Sequence, residues 1–600
     1  MKLSDYVVTT IKEMTGNDTV FLLTGGMAMH LDDSFGKFMH VIPCHHEQAA
    51  GIAASCFARI RGVTGVVCVT AGPGALNAVT ACGGAYLESI PMVFVSGQVS
   101  RANGRQGHPV RQRGVQEIEI VDVVEKITKY AVKVEEPSSI RYHLKKALFL
   151  ATTGRPGPVW LDIPVDVQGA EVDPEKMESF HSPIPSELSM DQRDKDAIRC
   201  VASGLFHAKR PLIVLGGGVR LAGAKPLIRD FIEKAGLPFQ TSWNGMDLIS
   251  TDHPLCFGRA NVFGPRYANI LIQDADYVLF IGCRLGIQHT GYNVEAFVRG
   301  AHVVAVDVDR SEMEKPGLHV DEKLVMDARV FMETLEKDFP LVQDKVDISS
   351  WIRKCQAVKK RFPIAPELKA IKNDAYVHPQ YFIDELSRLL PDGAMFPFGS
   401  SGMGHTVTGG IFRCKDNQRI FTFKGLAGMG YGIPCVVGAA VACPDKIALT
   451  LVGEGGLQLN IQELQTAWTN HLHIKVIVFN NGGYHSIHMT QTNYFAKHFV
   501  GSGAESGVTF PPLDEVASLY RMHYYQVKDN PSVDAKIKQF LDDPEASFLE
   551  VFLDPAKPLE PKCASMKLPS GEMVSRPLED MLPLLDRKEL QDIMDIPILG

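Results

Sequence analysis

One stretch, residues 447–487, limits what this chain can fold into more than any other. Residues 447–452 are an apolar run of strand length, and Gly453-Glu454-Gly455-Gly456 breaks it. Residues 461–468 then space apolar side chains helically, and residues 474–479 form a second apolar run ending at Asn480-Asn481. Strand–helix–strand makes the two strands parallel neighbours, with the loops that follow them at their carboxyl ends. Glu454 and Asn481, far apart in sequence, are thereby expected in one crevice. A carboxylate, an amide oxygen and an exposed carbonyl such as that of Gly483 are the hard oxygen ligands that Mg²⁺ prefers, and glycine N–H groups at a helix start suit a phosphate. The plainer reading is an ordinary strand–helix turn with a surface glutamate.

The same alternation of short apolar strands and helices recurs along the chain. At 600 residues the chain is too long for one core and is divided into several domains. The expected architecture is α/β: three doubly wound parallel-sheet domains over residues 1–170, 190–340 and 370–555, with a polar, Pro-rich tail at 556–600. Residues 168–190 read as a linker, and residues 341–375 as a charged helical connector. A long tail of little regular pattern is expected to act as a lid or interdomain strap.

Composition sets the class. With 45% hydrophobic and 22% charged residues and a net charge of −8, nothing argues for nucleic acid. No apolar run reaches transmembrane length, and the amino terminus lacks a signal-peptide pattern, so a cytoplasmic protein without membrane contact is expected. The 12 cysteines form no CxxC and read as buried free thiols of a reducing compartment.

Four segments turn this frame into a family resemblance: HHEQAAGIAAS at 45–55, the stretch TAGPGALNAVTACGGAYLESIPMVFVSGQ at 70–98, GRPGPVWLDIPVDVQ at 154–168 and GLAGMGYGIP at 425–434. In this order, with the Gly-Glu-Gly…Asn-Asn pair, they resemble the thiamine-diphosphate enzymes of the acetolactate synthase (acetohydroxyacid synthase large subunit) type, including the branch that acts in cell-surface sugar biosynthesis. The resemblance names the three domains pyrimidine-binding, middle and diphosphate-binding. It implies decarboxylation of a 2-keto acid such as pyruvate, with ligation to a second carbonyl. The alternatives are a 2-keto acid decarboxylase, a ligase acting on a keto-sugar, or a cofactor-poor non-catalytic homologue. It also implies a homodimer or dimer of dimers with sites between subunits.

Residue roles follow from the same resemblance. Glu47 would hydrogen-bond the aminopyrimidine of thiamine diphosphate, with Gln116 and Gly26 near the reacting centre. Pro73, Asn77, Gly399, Ser400, Ser401, His405, Ala427, Met429, Gly453, Glu454, Gly455, Gly456, Asn481, Gly483, Tyr484 and His485 would contact the cofactor, and Glu454, Asn481 and Gly483 would bind Mg²⁺. Without the resemblance, Glu47 reads as an acid favoured at a helix start, Met429 as core filler and Gln116 as a loop residue. The chain departs from the family at four positions near the expected site. Glu454 stands where the family has Asp, Val115 where it has Phe, and His488 and Thr490 where the synthases carry Arg and Trp. In the middle domain Gly216-Gly217-Gly218 fails the GxGxxG pattern, and residues 282–291 lack the Phe-Asp-Asp-Arg run of the FAD-binding synthases. A structural middle domain is favoured there over an FAD site.

Overall fold

In a computed structural model, residues 1–182, 190–338, 344–371, 375–400, 402–563, 565–567 and 573–599 are described. Parts of the expected linker (183–189) and connector (341–343, 372–374) lie outside them.

Three parallel sheets account for the α/β expectation. The first contains β1 (Thr19–Leu22), β2 (His40–Pro43), β3 (Gly65–Val69), β4 (Met92–Gln98), β5 (Tyr130–Lys133) and β6 (Pro158–Pro164), in the order β2-β1-β3-β4-β6-β5. The second contains β7 (Pro211–Leu215), β8 (Phe239–Thr241), β9 (Tyr277–Ile281), β10 (His302–Asp307) and β11 (Glu322–Val325), in the order β11-β10-β9-β7-β8. In the third, β12 (Met395–Phe398) pairs with β13 (Arg419–Thr422), and β14 (Leu449–Gly453), β15 (Lys475–Asn480), β16 (His523–Val527) and β17 (Ser547–Phe552) run β14-β15-β17-β16. A parallel bridge from Met395 to Ala448 joins the two parts. The third sheet therefore repeats the strand order of the first, strand for strand. Central strands such as β3, β7 and β9 are buried along their whole length, as continuous apolar runs in a sheet covered on both faces must be.

The first and third units meet through two helices rich in small residues, Glu47–Arg61 and Gly432–Ala442. A Cβ on Gly438 would lie 2.2 Å from the Ala53 carbonyl oxygen, so the backbones touch and no side chain fits between them. In the middle unit the glycines at 216 and 218 have a similar use. A Cβ at either would press on the backbone of Gly282, at 1.9 Å and 2.7 Å. This triple-glycine turn is demanded by protein packing.

All twelve cysteines are free and nine of them buried. Among the described residues no helix is long and apolar enough to cross a membrane.

The tail returns to the middle unit. Leu578, Leu590, Ile593, Met594 and Ile596 are buried in the apolar cluster beside β9 and β10. Asn269 donates to the Leu578 carbonyl at 3.0 Å, and Gln273 to Glu579 at 2.7 Å. A detachable lid would leave a folded core behind, whereas this strap is part of the core. Each such side chain contributes about 1.5–3 kcal/mol, and a whole domain nets only about 5–15 kcal/mol. Deleting residues 578–600 is therefore expected to lower the thermal-unfolding midpoint sharply and expose apolar surface to a dye probe. An unchanged midpoint would contradict this packing.

Candidate active site

The crevice of the third sheet is built by register. β14 and β15 pair in parallel with Gly453 opposite Phe479, so the loops after both leave the same sheet end side by side. Glu454 opens the short helix Glu454–Gln458, and its carboxylate is buried. Its Oε1 accepts the Gly482 N–H at 2.9 Å, which spans the gap between the loops. Burial pushes the carboxyl up to about 7, against the lowering effect of the backbone N–H groups of Glu454, Asn481 and Gly482. The two asparagines have different duties. Asn480 is committed, accepting the Gly482 N–H at 3.1 Å and donating to Glu550 at 2.6 Å. The half-buried Asn481 side chain has no partner among the described residues. Gly482, at φ 74°, turns the chain so that the Gly483–Tyr484 segment lies against Ser502, where the Tyr484 N–H donates to the Ser502 carbonyl at 2.8 Å.

This donor set fits a hard divalent cation: one buried carboxylate, one uncommitted amide oxygen and a nearby backbone carbonyl. The surroundings suit a diphosphate. The first helical turn leaves the N–H groups of Gly455 and Gly456 without helical partners. The Tyr484 ring lies so close to Gly455 that a Cβ there would come within 2.0 Å of it. Gly399 donates to the Leu451 carbonyl at 3.1 Å and abuts the Gly432 N–H; Ser400 is buried beside it. Ser401 lies outside the described residues. Ala427 is held at φ 52°, a strained conformation for alanine, in an open loop where Met429 is 43% exposed. Two further expected contacts, His405 and His485, have these neighbours. The His405 ring is buried 5.1 Å from that of Trp243 in the middle unit, and His485 bonds the Lys557 carbonyl at 2.9 Å.

The first sheet has its own cluster at its carboxyl end. Glu47 is the first residue of its helix, capped by His46, whose Nδ1 accepts the Gln48 N–H at 3.1 Å. The Glu47 carboxylate, 7% exposed, accepts from Asn77 at 3.0 Å. A Cβ on Gly74 would come within 3.1 Å of its other oxygen. Gly72, at φ 62° in front of Pro73, packs so closely on the Gln116 carbonyl that a Cβ would lie 2.4 Å from it. Gln116 itself is exposed at φ 64°, beside the 77%-exposed Val115. Gly26 begins a turn in which the Met27 N–H donates to the Thr70 hydroxyl at 3.3 Å. Glu47, Pro73, Asn77, Gln116 and Gly26 thus form one group, and the glycines, Glu454, Asn481 and Tyr484 of the third unit another.

Sequence reasoning missed the residues that link the two groups. Asn460 donates to Gln48 at 3.1 Å and to the Gly430 carbonyl at 2.8 Å, next door to Glu47 and Met429 respectively. Glu463 accepts the His45 N–H at 3.0 Å and the Thr466 hydroxyl at 2.6 Å. The one signal for it was an acid inside an otherwise apolar helical face.

Burial raises the Glu463 carboxyl from the ordinary 4.5 to about 7, the hydrogen bonds opposing. Below pH 4.5 it is protonated both folded and unfolded, and its contribution to stability is complete. As pH rises towards 7 the unfolded chain ionises first, so stability falls by about 3 kcal/mol in all. Glu463→Gln cannot ionise. The difference in unfolding midpoint between wild type and Glu463→Gln is expected to change between pH 4.5 and 7 and to be flat above. Parallel profiles across that window would exclude this assignment.

Comparison with known proteins identifies the family of all three units. Residues 1–123, 198–335 and 400–551 match the N-terminal TPP binding, central and C-terminal TPP binding domains of thiamine pyrophosphate enzymes. The chain is 30% identical over 572 residues to acetolactate synthase 2, chloroplastic, of Zea mays, covering 92% of this chain and 85% of that one. It is 29% identical over 556 residues to the acetolactate synthase isozyme 1 large subunit of Escherichia coli K12, covering 92% and 93%. It is also 29% identical over 573 residues to the probable acetolactate synthase large subunit of Methanococcus aeolicus, covering 90% of each. The chain therefore belongs to the thiamine pyrophosphate enzymes and is an enzyme of their acetolactate-synthase-like family.

Proposed function

We propose that this enzyme decarboxylates a 2-keto acid such as pyruvate and ligates the remaining fragment to a second carbonyl compound, with thiamine diphosphate and Mg²⁺. The observation that carries the reading is the meeting of the buried Glu454 carboxylate and the uncommitted Asn481 amide at one sheet end. Glu454, Asn481 and the Gly483 carbonyl would hold the cation. Gly453, Gly455 and Gly456, flanked by Gly399, Ser400 and Tyr484, would hold the diphosphate. Met429 and Ala427 lie on the open loop that would support the middle of the cofactor. Thiamine diphosphate, when bound, supplies a nucleophilic carbon and a sink for the electron pair released with CO₂. Glu47 would hold a proton at the pyrimidine ring nitrogen: its carboxylate is buried, oriented by Asn77, and closely backed by Gly74. Gln116, on the exposed loop braced by Gly72, and Gly26 would face the reacting carbonyl. The exposure of Val115, Leu426 and Met429 in the single chain supports a homodimer or dimer of dimers in which each site is completed by a second subunit.

Carbon dioxide release from a panel of 2-keto acids tests the reading. Release is expected only with both thiamine diphosphate and Mg²⁺, and Glu47→Gln is expected to slow it about 10²–10⁴-fold. Release indifferent to Glu47, or absent for every acid, would count against it.

Glu454 gives a second test. Its longer side chain reaches from the β14 loop to Gly482. Aspartate would draw the carboxylate back by about 1 Å, a misfit for a cation bound at about 2.0–2.1 Å. Glu454→Asp is expected to weaken Mg²⁺-supported cofactor binding at least tenfold in calorimetry. Tighter binding by the aspartate variant would mean that this site is degraded rather than built around glutamate.

A further inference from the structure

The loop that carries Gln116 is held by a residue the proposed chemistry does not use. Glu117 is 4% exposed, and its carboxylate accepts three backbone N–H groups: Arg105 at 2.6 Å, Arg113 at 3.0 Å and Gly114 at 2.9 Å. A loop has no strand or helix partners for such groups, and here one carboxylate replaces them. Residues 101–116 include Arg101, Arg105, His108, Arg111 and Arg113 and no acid, so Glu117 is also the anion that a basic segment gathers round. Burial alone would raise its carboxyl. The N–H groups of Gly114, Arg113 and Arg105, with the Arg105 guanidinium, outweigh burial and hold it below its ordinary value, so it is ionised.

Glu117 closes a turn from both sides. Its own N–H donates to the Gly114 carbonyl at 3.2 Å, and the Gly114 N–H returns to its carboxylate. Val115 and Gln116, the two residues between, are turned outward and exposed. Gln116 is at the third position of this turn with φ 64°, a position where positive φ favours glycine or asparagine. A glutamine keeps that strained conformation only where its surroundings impose it. The Gln116 carbonyl is pressed against Gly72 on one side, and the Glu117 carboxylate fastens the other. The base of the turn is tied to the sheet. Gln98 donates to the Ile118 carbonyl at 2.8 Å and to Asp162 at 3.0 Å, and Asp162 accepts the Ser96 hydroxyl at 2.6 Å. The turn is therefore anchored to β4 and β6 rather than free.

We propose that Glu117 is a positioning residue whose carboxylate fixes the Gly114–Glu117 turn so that the Gln116 side chain faces the reacting carbonyl. This role rests on the reaction proposed above, in which Gln116 has that place. Both Glu117 oxygens are committed to the backbone, so Glu117 itself does not touch substrate. Its part is geometric. A group on an unrestrained loop samples many directions, whereas a fixed one is already in the orientation the reaction needs. The charge matters as well as the size. Oε1 accepts from Arg105 and Oε2 from Arg113 and Gly114, so Glu117 is the acceptor in every bond. A glutamine of equal size would set its NH₂ group against at least one N–H donor.

The test uses the full chain with thiamine diphosphate and Mg²⁺, and the 2-keto acid that releases CO₂ fastest. Glu117→Gln is expected to lower kcat about ten- to a hundredfold, while KM and thiamine diphosphate affinity stay within about threefold. Gln116→Ala is expected to lower kcat similarly, and Glu117→Gln added to it should cost less than about twofold more. Hydrogen–deuterium exchange gives an independent readout. The Arg105, Arg113 and Gly114 amides should exchange faster in Glu117→Gln than in wild type, with the rest of the first unit unchanged. Should Glu117→Gln not fold, Glu117→Asp, one methylene shorter and still charged, is expected to show the same losses. Unchanged turnover, unchanged exchange at these amides, or losses at Gln116 and Glu117 that multiply independently overturn the proposal. A wild type that releases no CO₂ from any acid overturns the proposed reaction and this role with it. An active wild type whose Glu117 variant keeps full turnover overturns this role alone.

Discussion

The candidate site depends above all on the parallel pairing of β14 with β15. A one-residue slip would turn every side chain of one strand to the opposite face. The observed register instead aligns the strand ends and sends the Gly-Glu-Gly turn and the Asn-Asn turn into one space. The bond from Glu454 to the Gly482 N–H then holds the two turns at a fixed separation. Burial disfavours charge on Glu454, and a positive group beside it would offset that cost. In the proposed reaction a divalent cation would be that group, and the uncommitted Asn481 would supply it with a second ligand.

The same architecture occurs twice in the chain. The first and third sheets share one strand order, and their corresponding helices, Glu47–Arg61 and Gly432–Ala442, pack on each other at backbone contact. Contact that close excludes side chains, which explains the alanines and glycines on both helices. It also makes the junction stiff, because an added methyl group has nowhere to go. The ends of these helices carry Glu47 and the Met429 loop, and Asn460 ties their neighbours together. The proposed chemistry therefore sits at the margins of a rigid pseudosymmetric core. Gln116, proposed to face the reacting carbonyl, and Ala427, proposed to support the cofactor, both lie on loops in positive-φ backbone.

Much of this was legible in the sequence because it is local. The runs at 447–452 and 474–479 are short, apolar and bounded by turn residues, and β14 and β15 lie within two residues of them. The Glu454 and Asn481 crevice followed from one topological rule about parallel strands. What escaped depends on long-range packing. Nothing near Lys424 indicates that it lies over Trp243, 181 positions earlier, or that His405 faces the middle unit. Glu463 meets His45 across 418 positions, a pairing created only by the docking of two units. The tail read as either a lid or an interdomain strap because its apolar residues are spread among prolines and charges. Their common burial appears only when the middle sheet supplies the other half of the contact. The glycines at 216–218 fail the nucleotide pattern, and their use is packing: a chain approaching another backbone needs glycine as much as one approaching a phosphate.

The central claim, a cation-dependent diphosphate site at the ends of β14 and β15, is tested most directly by titrating the metal-free protein calorimetrically with thiamine diphosphate, with and without Mg²⁺. The account predicts saturable binding of one cofactor per chain that is strong with Mg²⁺ and lost or greatly weakened without it. Binding of the same strength in the presence and absence of a divalent cation, or no binding under either condition, would contradict it.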